Sequence, residues 1–120
     1  MNRRGIGALL VVVGLAAGCR GKNHVPSGVL PREKMESVLW DMIQADQYSS
    51  FLTKDSAHVD LKLERLRLYE QVFLLHGVSR DQFRKSYDYY MAHPDLTEAL
   101  FDSLQTRGTR LRSEEYSHSK

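Results

Sequence analysis

The chain begins with a short apolar run that ends at its only cysteine. Arg3 and Arg4 precede 14 apolar or glycine residues, Gly5 to Gly18, and Cys19 follows them. A membrane-spanning helix needs roughly 20 apolar residues, so this run is too short to remain as a stable span. A positive start, a short apolar stretch and small residues before a cleavage site are typical of a secretory signal. We therefore expect the folded domain to form without residues 1–18.

The residues at the end of this run make the signal more specific. Leu15-Ala16-Ala17-Gly18-Cys19 resembles the lipobox of bacterial lipoprotein signals, and an ordinary secretory signal is the alternative. The resemblance implies that a signal peptide of residues 1–18 is removed and that Cys19 is acylated, with palmitate or a similar chain. Two or three acyl chains would anchor the protein permanently, since one chain alone binds a membrane only marginally. An acylated Cys19 would leave no thiol for a disulfide, a metal or catalysis.

The charge of the mature chain excludes one class of partner. The full sequence has 17 basic and 15 acidic side chains. Removal of Arg3 and Arg4 with the signal leaves 15 of each, so the mature protein is close to neutral. A nucleic-acid-binding protein needs a surplus of Lys and Arg on one face. We therefore expect no nucleic-acid partner.

The remainder of the chain divides into three parts. Residues 19–30, which begin with the lipidated cysteine, contain Pro26 and Gly28 without any periodicity, and this predicts a flexible tether. Residues 31–107 show helical spacing of apolar side chains and predict one helical domain. Residues 108–120 are polar and predict a frayed tail. The predicted fold is all-α, a small bundle of three to four helices.

The helix boundaries are predicted from local signals. The first helix is predicted over residues 31–52 and the second over residues 59–76, with Gly77 as its C-cap. Ser79, with Gln three residues later, predicts the start of the third helix, and Pro94 opens the fourth. The second helix has a wide apolar stripe, which predicts a central helix packed on two sides. Its members form two neighbouring rows, Leu61, Leu68, Val72 and Leu75 in one and Leu66, Tyr69 and Phe73 in the other.

Asp46 is the most informative carboxylate of the domain. It continues an apolar row of the first helix formed by Met35, Leu39 and Met42. A carboxylate that faces a core must be paired or hydrogen-bonded, or it stays protonated. We expect Asp46 at the core edge, bonded to a tyrosine hydroxyl or an arginine. The alternative is a ligand-binding acid in a pocket shared with the tyrosines.

The aromatic residues offer two further candidate contacts. Tyr87 and Tyr90 share the apolar face of the third helix, so we expect core residues with hydroxyls at the rim. Trp40, Tyr89 and Phe101 lie off the main stripes of their helices. If these three side chains are exposed together, they form a patch that would bind a partner.

No arrangement of residues in the sequence indicates catalysis. The five histidines are scattered, with none three or four residues from another, so the spacing of a helical metal site is absent. The sequence contains no Gly-x-Ser-x-Gly motif. We expect a protein that is not an enzyme and that uses no cofactor or metal.

Six segments of the chain carry a resemblance to known proteins: Leu30-Pro31-Arg32-Glu33-Lys34-Met35, Val38-Leu39-Trp40-Asp41, Leu68-Tyr69-Glu70-Gln71-Val72-Phe73, His76-Gly77-Val78-Ser79-Arg80-Asp81-Gln82-Phe83, Ser86-Tyr87-Asp88-Tyr89-Tyr90 and His93-Pro94. Together they resemble a known family, the small lipoproteins of the Bacteroidota that carry one particular domain of unknown function. The resemblance covers roughly residues 30–104. It implies a lipid-anchored, helical protein of the cell envelope, and it supplies no activity, cofactor or catalytic residue.

The functional hypothesis is a non-catalytic adaptor or accessory subunit, anchored to a membrane through Cys19. A core this small is often completed by a partner protein or by self-association. The alternative is a periplasmic protein that binds a small ligand or peptide near Asp46 and the tyrosines. Arg20 does not resemble an inner-membrane retention signal, and Gly21-Lys22-Asn23 lacks the acidic run of surface-exported lipoproteins. The expected location is therefore the outer membrane, facing the periplasm.

Overall fold

The structure, a computed structural model, describes residues 24–55 and 58–120. The predicted signal peptide and Cys19 lie outside these residues. The described chain forms four helices and no strand: α1 (Arg32–Asp55), α2 (Leu61–His76), α3 (Arg80–Met91) and α4 (Pro94–His118). The prediction of a small all-α bundle is therefore confirmed.

The ends of α2 and α3 are set by side chains and by one glycine. The Asp60 carboxylate accepts hydrogen bonds from the backbone N–H groups of Lys62 and Leu63, at 3.0 and 3.2 Å, and so caps the start of α2. Gly77 ends α2 with a left-handed φ of 62°, a conformation that glycine adopts without steric cost. The Ser79 hydroxyl accepts from the N–H of Gln82 at 3.1 Å. The predicted caps at Gly77 and Ser79 are confirmed, and the cap at Asp60 was not predicted.

Helix α1 lies at the centre of the fold, with α4 running parallel to it. Arg32, at the start of α1, donates to the Ser103 hydroxyl at 3.1 Å. Two turns later, Trp40 lies 3.6 Å from the position that a Cβ at Gly108 would take. The contacts advance along both helices in the same direction, so α1 and α4 are parallel.

Helix α2 packs antiparallel to α1 and lies at the edge of the bundle. Its main packing neighbour is α1, and near its end Phe73 also contacts Phe83 of α3, with ring centroids 5.1 Å apart. Leu66 and Leu75 remain 49% and 76% exposed. Both belong to the wide stripe that predicted a central helix, so that prediction is wrong. A wide apolar stripe reports that a helix surface is apolar, but not whether this chain or another molecule covers it.

The core lies where the start of α1 meets α3 and the first half of α4. Met35, Val38, Tyr90 and Leu100 are fully buried there. Around them lie other buried apolar side chains from the segment before α1, from the end of α2 with the residue after its cap, and from α4: Val29, Leu30, Val72, Phe73, Val78, Leu96 and Leu104.

The end of the predicted tether belongs to this core. Val29 and Leu30 are 6% and 4% exposed, so the prediction of a tether over residues 19–30 is wrong for this part. The N–H of Val29 donates to the Pro26 carbonyl at 3.2 Å, and Gly28 between them has a φ of 85°. This is a turn of the kind that needs glycine at its third position, and it directs the two apolar side chains inward.

Helix α4 is longer than predicted. It continues through Gly108 to His118, so the prediction of a frayed tail over residues 108–120 is wrong in conformation. The side chains from Thr109 onward are all exposed, as expected for a polar segment. One interior glycine costs a helix only about 1 kcal/mol, and the arginines, leucine and glutamates after it are good helix formers.

Candidate functional site

The Asp46 carboxylate is paired with two side chains of α2. The Tyr69 hydroxyl donates to Asp46 Oδ1 at 2.6 Å, and Arg65 Nε lies 2.9 Å from the same oxygen in an ion pair. Helix α1 supplies Asp46, and α2 supplies its partners from positions one turn apart. Sequence reasoning predicted a tyrosine or arginine partner, and the structure has both.

This arrangement holds the Tyr69 hydroxyl in its protonated form. The pKa of Tyr69 is raised from 10.0 to about 12, first by burial and then by the hydrogen bond to Asp46 and the charge of that carboxylate. The Arg65 charge acts in the opposite direction. A catalytic base or nucleophile needs a pKa near the working pH. The shift of the Tyr69 pKa is in the other direction, which is typical of a structural hydrogen bond.

An open depression lies beside Asp46. Its lining residues are Asp46, Gln47, Ser50, Phe51 and Lys54, all from the second half of α1. None of the tyrosines of α3 lines it. The predicted pocket shared by Asp46 and the tyrosines therefore does not include Tyr87 or Tyr90 at this depression.

Tyr90 has a structural position deep in the core. Its ring is fully buried, and its hydroxyl donates to the Leu30 carbonyl at 2.9 Å, so the expected rim position of the hydroxyl is wrong. Burial is the main reason that the pKa of Tyr90 is raised. Tyr87 is 40% exposed and packs on Phe83, with ring centroids 6.1 Å apart. The prediction of a core position is wrong for Tyr87 because it lies at the edge of the apolar face.

An apolar groove runs between α1 and α4, and we call it the α1–α4 groove. It brings together two of the predicted patch residues, Trp40 and Phe101. Phe101 is 48% exposed, and Ile43 and Leu111 are 39% and 38% exposed. The remaining lining residues are Gln44, Gln47, Leu104, Gln105, Gly108, Arg112 and Glu115. The groove thus has an apolar floor and a polar rim of three glutamines, one arginine and one glutamate.

Trp40 forms a fixed wall of this groove. It is half-buried against the core, and the Arg107 guanidinium lies 4.7 Å from its ring centroid. Such cation–π contacts contribute about 0.5–1 kcal/mol at exposed sites. The third residue of the predicted patch, Tyr89, does not line the groove. It is half-buried and stacks on His93, with ring centroids 4.1 Å apart.

Two polar contacts were missed by sequence reasoning. His76 Nε2 lies 2.7 Å from Asp41 Oδ2 and joins the end of α2 to α1. The Ser86 hydroxyl is fully buried and accepts from the N–H of Leu30 at 2.8 Å. The first contact follows from the antiparallel pairing of α1 with α2. Asp41 precedes Asp46 on α1 and His76 follows Tyr69 on α2, so the Asp41–His76 pair lies next to the Asp46–Tyr69 pair along the same interface. No sequence signal indicated the second.

Metal-ligating clusters and membrane-spanning helices are both absent from the part of the chain that the structure describes. Its residues include no group of three or more His, Cys, Asp or Glu side chains placed to hold a metal ion. Among the helices of residues 24–55 and 58–120, none combines the length and the apolar character that crossing a bilayer requires.

Comparison with known proteins gives one match, to a family model. No curated protein and no solved structure matches the chain. The family model, described as "Domain of unknown function (DUF4296)", matches residues 26–114. The match begins at the turn before α1 and includes most of α4, so it covers the core and both walls of the α1–α4 groove. The chain therefore belongs to the family of this domain of unknown function.

Proposed function

We propose that this protein is a lipid-anchored, non-catalytic adaptor of the cell envelope that holds a partner protein in the α1–α4 groove. The observation that carries the proposal is the groove itself. Trp40 and Phe101, from two different helices, lie along one open apolar surface. Large aromatic side chains at the centre of a surface supply most of the energy at typical protein interfaces.

The shape of the groove favours a helical segment of the partner. Phe101, Leu104, Gly108 and Leu111 succeed one another at spacings of three and four residues along α4, so they form a straight seam. A trough between two parallel helices is the surface that an amphipathic helix fills with its apolar face. The glutamines of the rim can bond to polar groups at the edge of such a helix without requiring a charge.

The anchor sets the distance between the domain and the membrane. Val25 already packs against the core, so only residues 20–24 separate the domain from Cys19. Fully extended, this linker spans roughly 20 Å at about 3.5 Å per residue. An acylated Cys19 would therefore keep the domain close to the membrane surface. We propose the periplasmic face of the outer membrane and a lipoprotein of Bacteroidota type, on the lipobox resemblance and the residues after Cys19.

The alternative, a binder of a small ligand or peptide at Asp46, has less support. The depression beside Asp46 is open, but Asp46 Oδ1 already accepts from Tyr69 and pairs with Arg65. A ligand at that oxygen would have to displace both partners. Asp46→Ala distinguishes the two roles, because it would abolish ligand binding but leave the groove intact.

The proposal can be tested by placing a photo-cross-linking amino acid in the groove. We expect substitution at Phe101 to cross-link one defined envelope protein in intact cells. Tyr116, which lies on the same helix and is 70% exposed, is the matched control position and should give no such product. A second variant, Phe101→Asp, should abolish co-purification of that protein, while Tyr116→Asp should retain it.

As a control, circular dichroism of both aspartate variants should show an unchanged helix content, as expected if α4 remains folded. Equal cross-linking at positions 101 and 116, or none at 101, would contradict a role of the groove in binding a partner.

A further inference from the structure

The outward face of α2 carries a stripe of two leucines and two charged residues that the described chain does not cover. Leu63 and Leu74 are 66% and 80% exposed. Between them lie Arg67 and Glu70, whose side chains are 72% and 48% exposed. All four residues lie on the side of α2 opposite to Tyr69 and the other side chains that face α1. We call these four residues the α2 stripe.

The spacing of the α2 stripe is that of a helix–helix seam. Its members succeed one another at intervals of four, three and four residues. This is the repeat by which residues of two supercoiled helices interlock.

The α2 stripe is complementary to itself in one orientation only. In an antiparallel pair with a two-fold axis between residues 68 and 69, Leu63 faces Leu74 of the second copy and Arg67 faces its Glu70. The axis repeats both contacts, giving two leucine pairs and two ion pairs. A parallel pair in register would instead place Arg67 against Arg67 and Glu70 against Glu70, which is repulsive.

We propose that the occupant of the α2 stripe is a second copy of this chain, bound as an antiparallel two-fold dimer. Such an isologous contact is the commonest way in which identical subunits associate. Within one copy, Glu70 pairs with Arg80 and Arg67 lies 3.9 Å from Glu64. Arg80 belongs to α3 and Glu64 to α2, and with these partners in place the side chains of Glu70 and Arg67 remain 48% and 72% exposed. The proposal uses a surface separate from the α1–α4 groove, so it can fail without affecting the proposed function.

Cross-linking of introduced cysteines tests the orientation directly. Two differently tagged full-length chains, carrying Leu63→Cys and Leu74→Cys, are co-expressed and treated with a short bis-maleimide in intact cells. We expect cross-links between the two variants and few within either variant. Chains without an introduced cysteine show how much cross-linking comes from Cys19. Chains with Tyr116→Cys show how much cross-linking comes from random collision.

Charge exchange tests the ion pairs. Arg67→Glu and Glu70→Arg should each lower the cross-linked fraction by about tenfold, because both ion pairs of the dimer become repulsive. The double exchange, Arg67→Glu with Glu70→Arg, should restore it in a chain that also carries Glu64→Arg and Arg80→Glu, which keep the pairs within each copy, since the α2 stripe is again self-complementary. Both positions are exposed, and circular dichroism verifies that the variants fold.

Two outcomes of the cysteine cross-linking would overturn the proposal. One is a 63–74 cross-link no stronger than the Tyr116→Cys baseline. The other is cross-linking within each single-cysteine variant as strong as cross-linking between them, which would indicate a parallel or unspecific contact. Failure of the double exchange to restore the cross-link would exclude the Arg67–Glu70 pairing.

Discussion

The contact between Leu30 and α3 gives a stability prediction that depends on buried hydrogen bonds. Ser86 and Tyr90, one turn apart on α3, bind the backbone of Leu30 from both sides. The Ser86 hydroxyl accepts from the Leu30 N–H at 2.8 Å, and the Tyr90 hydroxyl donates to the Leu30 carbonyl at 2.9 Å. Both side chains are fully buried and Leu30 is 4% exposed, so water cannot replace either partner.

Ser86→Ala is expected to destabilise the fold by about 1–3 kcal/mol, since it leaves the buried N–H of Leu30 without an acceptor. The change removes one oxygen and no packing atom of the apolar core, so the loss is that of the hydrogen bond. Tyr90→Phe, which keeps the ring, is expected to cost a similar amount by leaving the Leu30 carbonyl unpaired. In the double variant, the loss of unfolding free energy should be smaller than the sum of the two single losses, because both substitutions act on Leu30.

The assay is urea denaturation of the purified protein, with thermal unfolding as a check. For a domain of this size, 1 kcal/mol corresponds to a shift in Tm of about 4–8 °C. Ser37→Ala is the matched control. Its hydroxyl donates to the carbonyl four residues earlier, as that of Ser86 also does, but it is exposed. We expect at most about 0.5 kcal/mol for Ser37→Ala, and an equally small effect of Ser86→Ala would refute the buried contact.

Three further predictions concern single residues. Gly108→Ala should stabilise α4 by about 0.5–1 kcal/mol, since the added Cβ would lie at a normal contact distance of 3.6 Å from Trp40; a lower Tm would show that the helix does not continue through this position. The Tyr69 hydroxyl should titrate near pH 12. Its titration is measured as the difference between the tyrosinate absorbance of the native protein and that of Tyr69→Phe as the pH is raised. Because the pKa is raised on folding, its contribution to stability is complete below pH 10 and lost as the pH rises towards 12, and a midpoint at 10 would contradict the bond to Asp46. Asp60→Ala should lower the free energy of unfolding by about 1 kcal/mol through loss of the cap of α2, and an unchanged urea midpoint would argue against that cap.

The local features of the fold could be predicted because single residues encode them. Gly77 ends α2 through its own conformational freedom, and Ser79 begins α3 through its own hydroxyl. The partners of Asp46 were predicted by chemical type, since a carboxylate at a core edge needs a donor. Which tyrosine would supply it depends on the pairing of α1 with α2, which no local pattern specifies.

The features that were predicted wrongly depend on contacts between distant parts of the chain. Leu30 was assigned to the tether because its partners, Ser86 and Tyr90, lie 56 and 60 residues further on. The central position expected for α2 failed for a related reason. An apolar helix face that is covered within one chain has the same sequence pattern as one that a second molecule covers. The predicted helical domain ended at residue 107 because Gly108 disfavours a helix, whereas the helix formers after Gly108 allow α4 to continue.

The central claim, that the anchored protein binds a partner through the α1–α4 groove, is tested most directly by one comparison in cells. The photo-cross-linking amino acid at position 101 is introduced into the native chain and into Cys19→Ala, and the products are compared at equal protein levels. We expect one defined envelope protein to be cross-linked by the native chain and to be lost with Cys19→Ala. The same product from both chains would contradict the role of the anchor, and no product from the native chain would contradict the adaptor function.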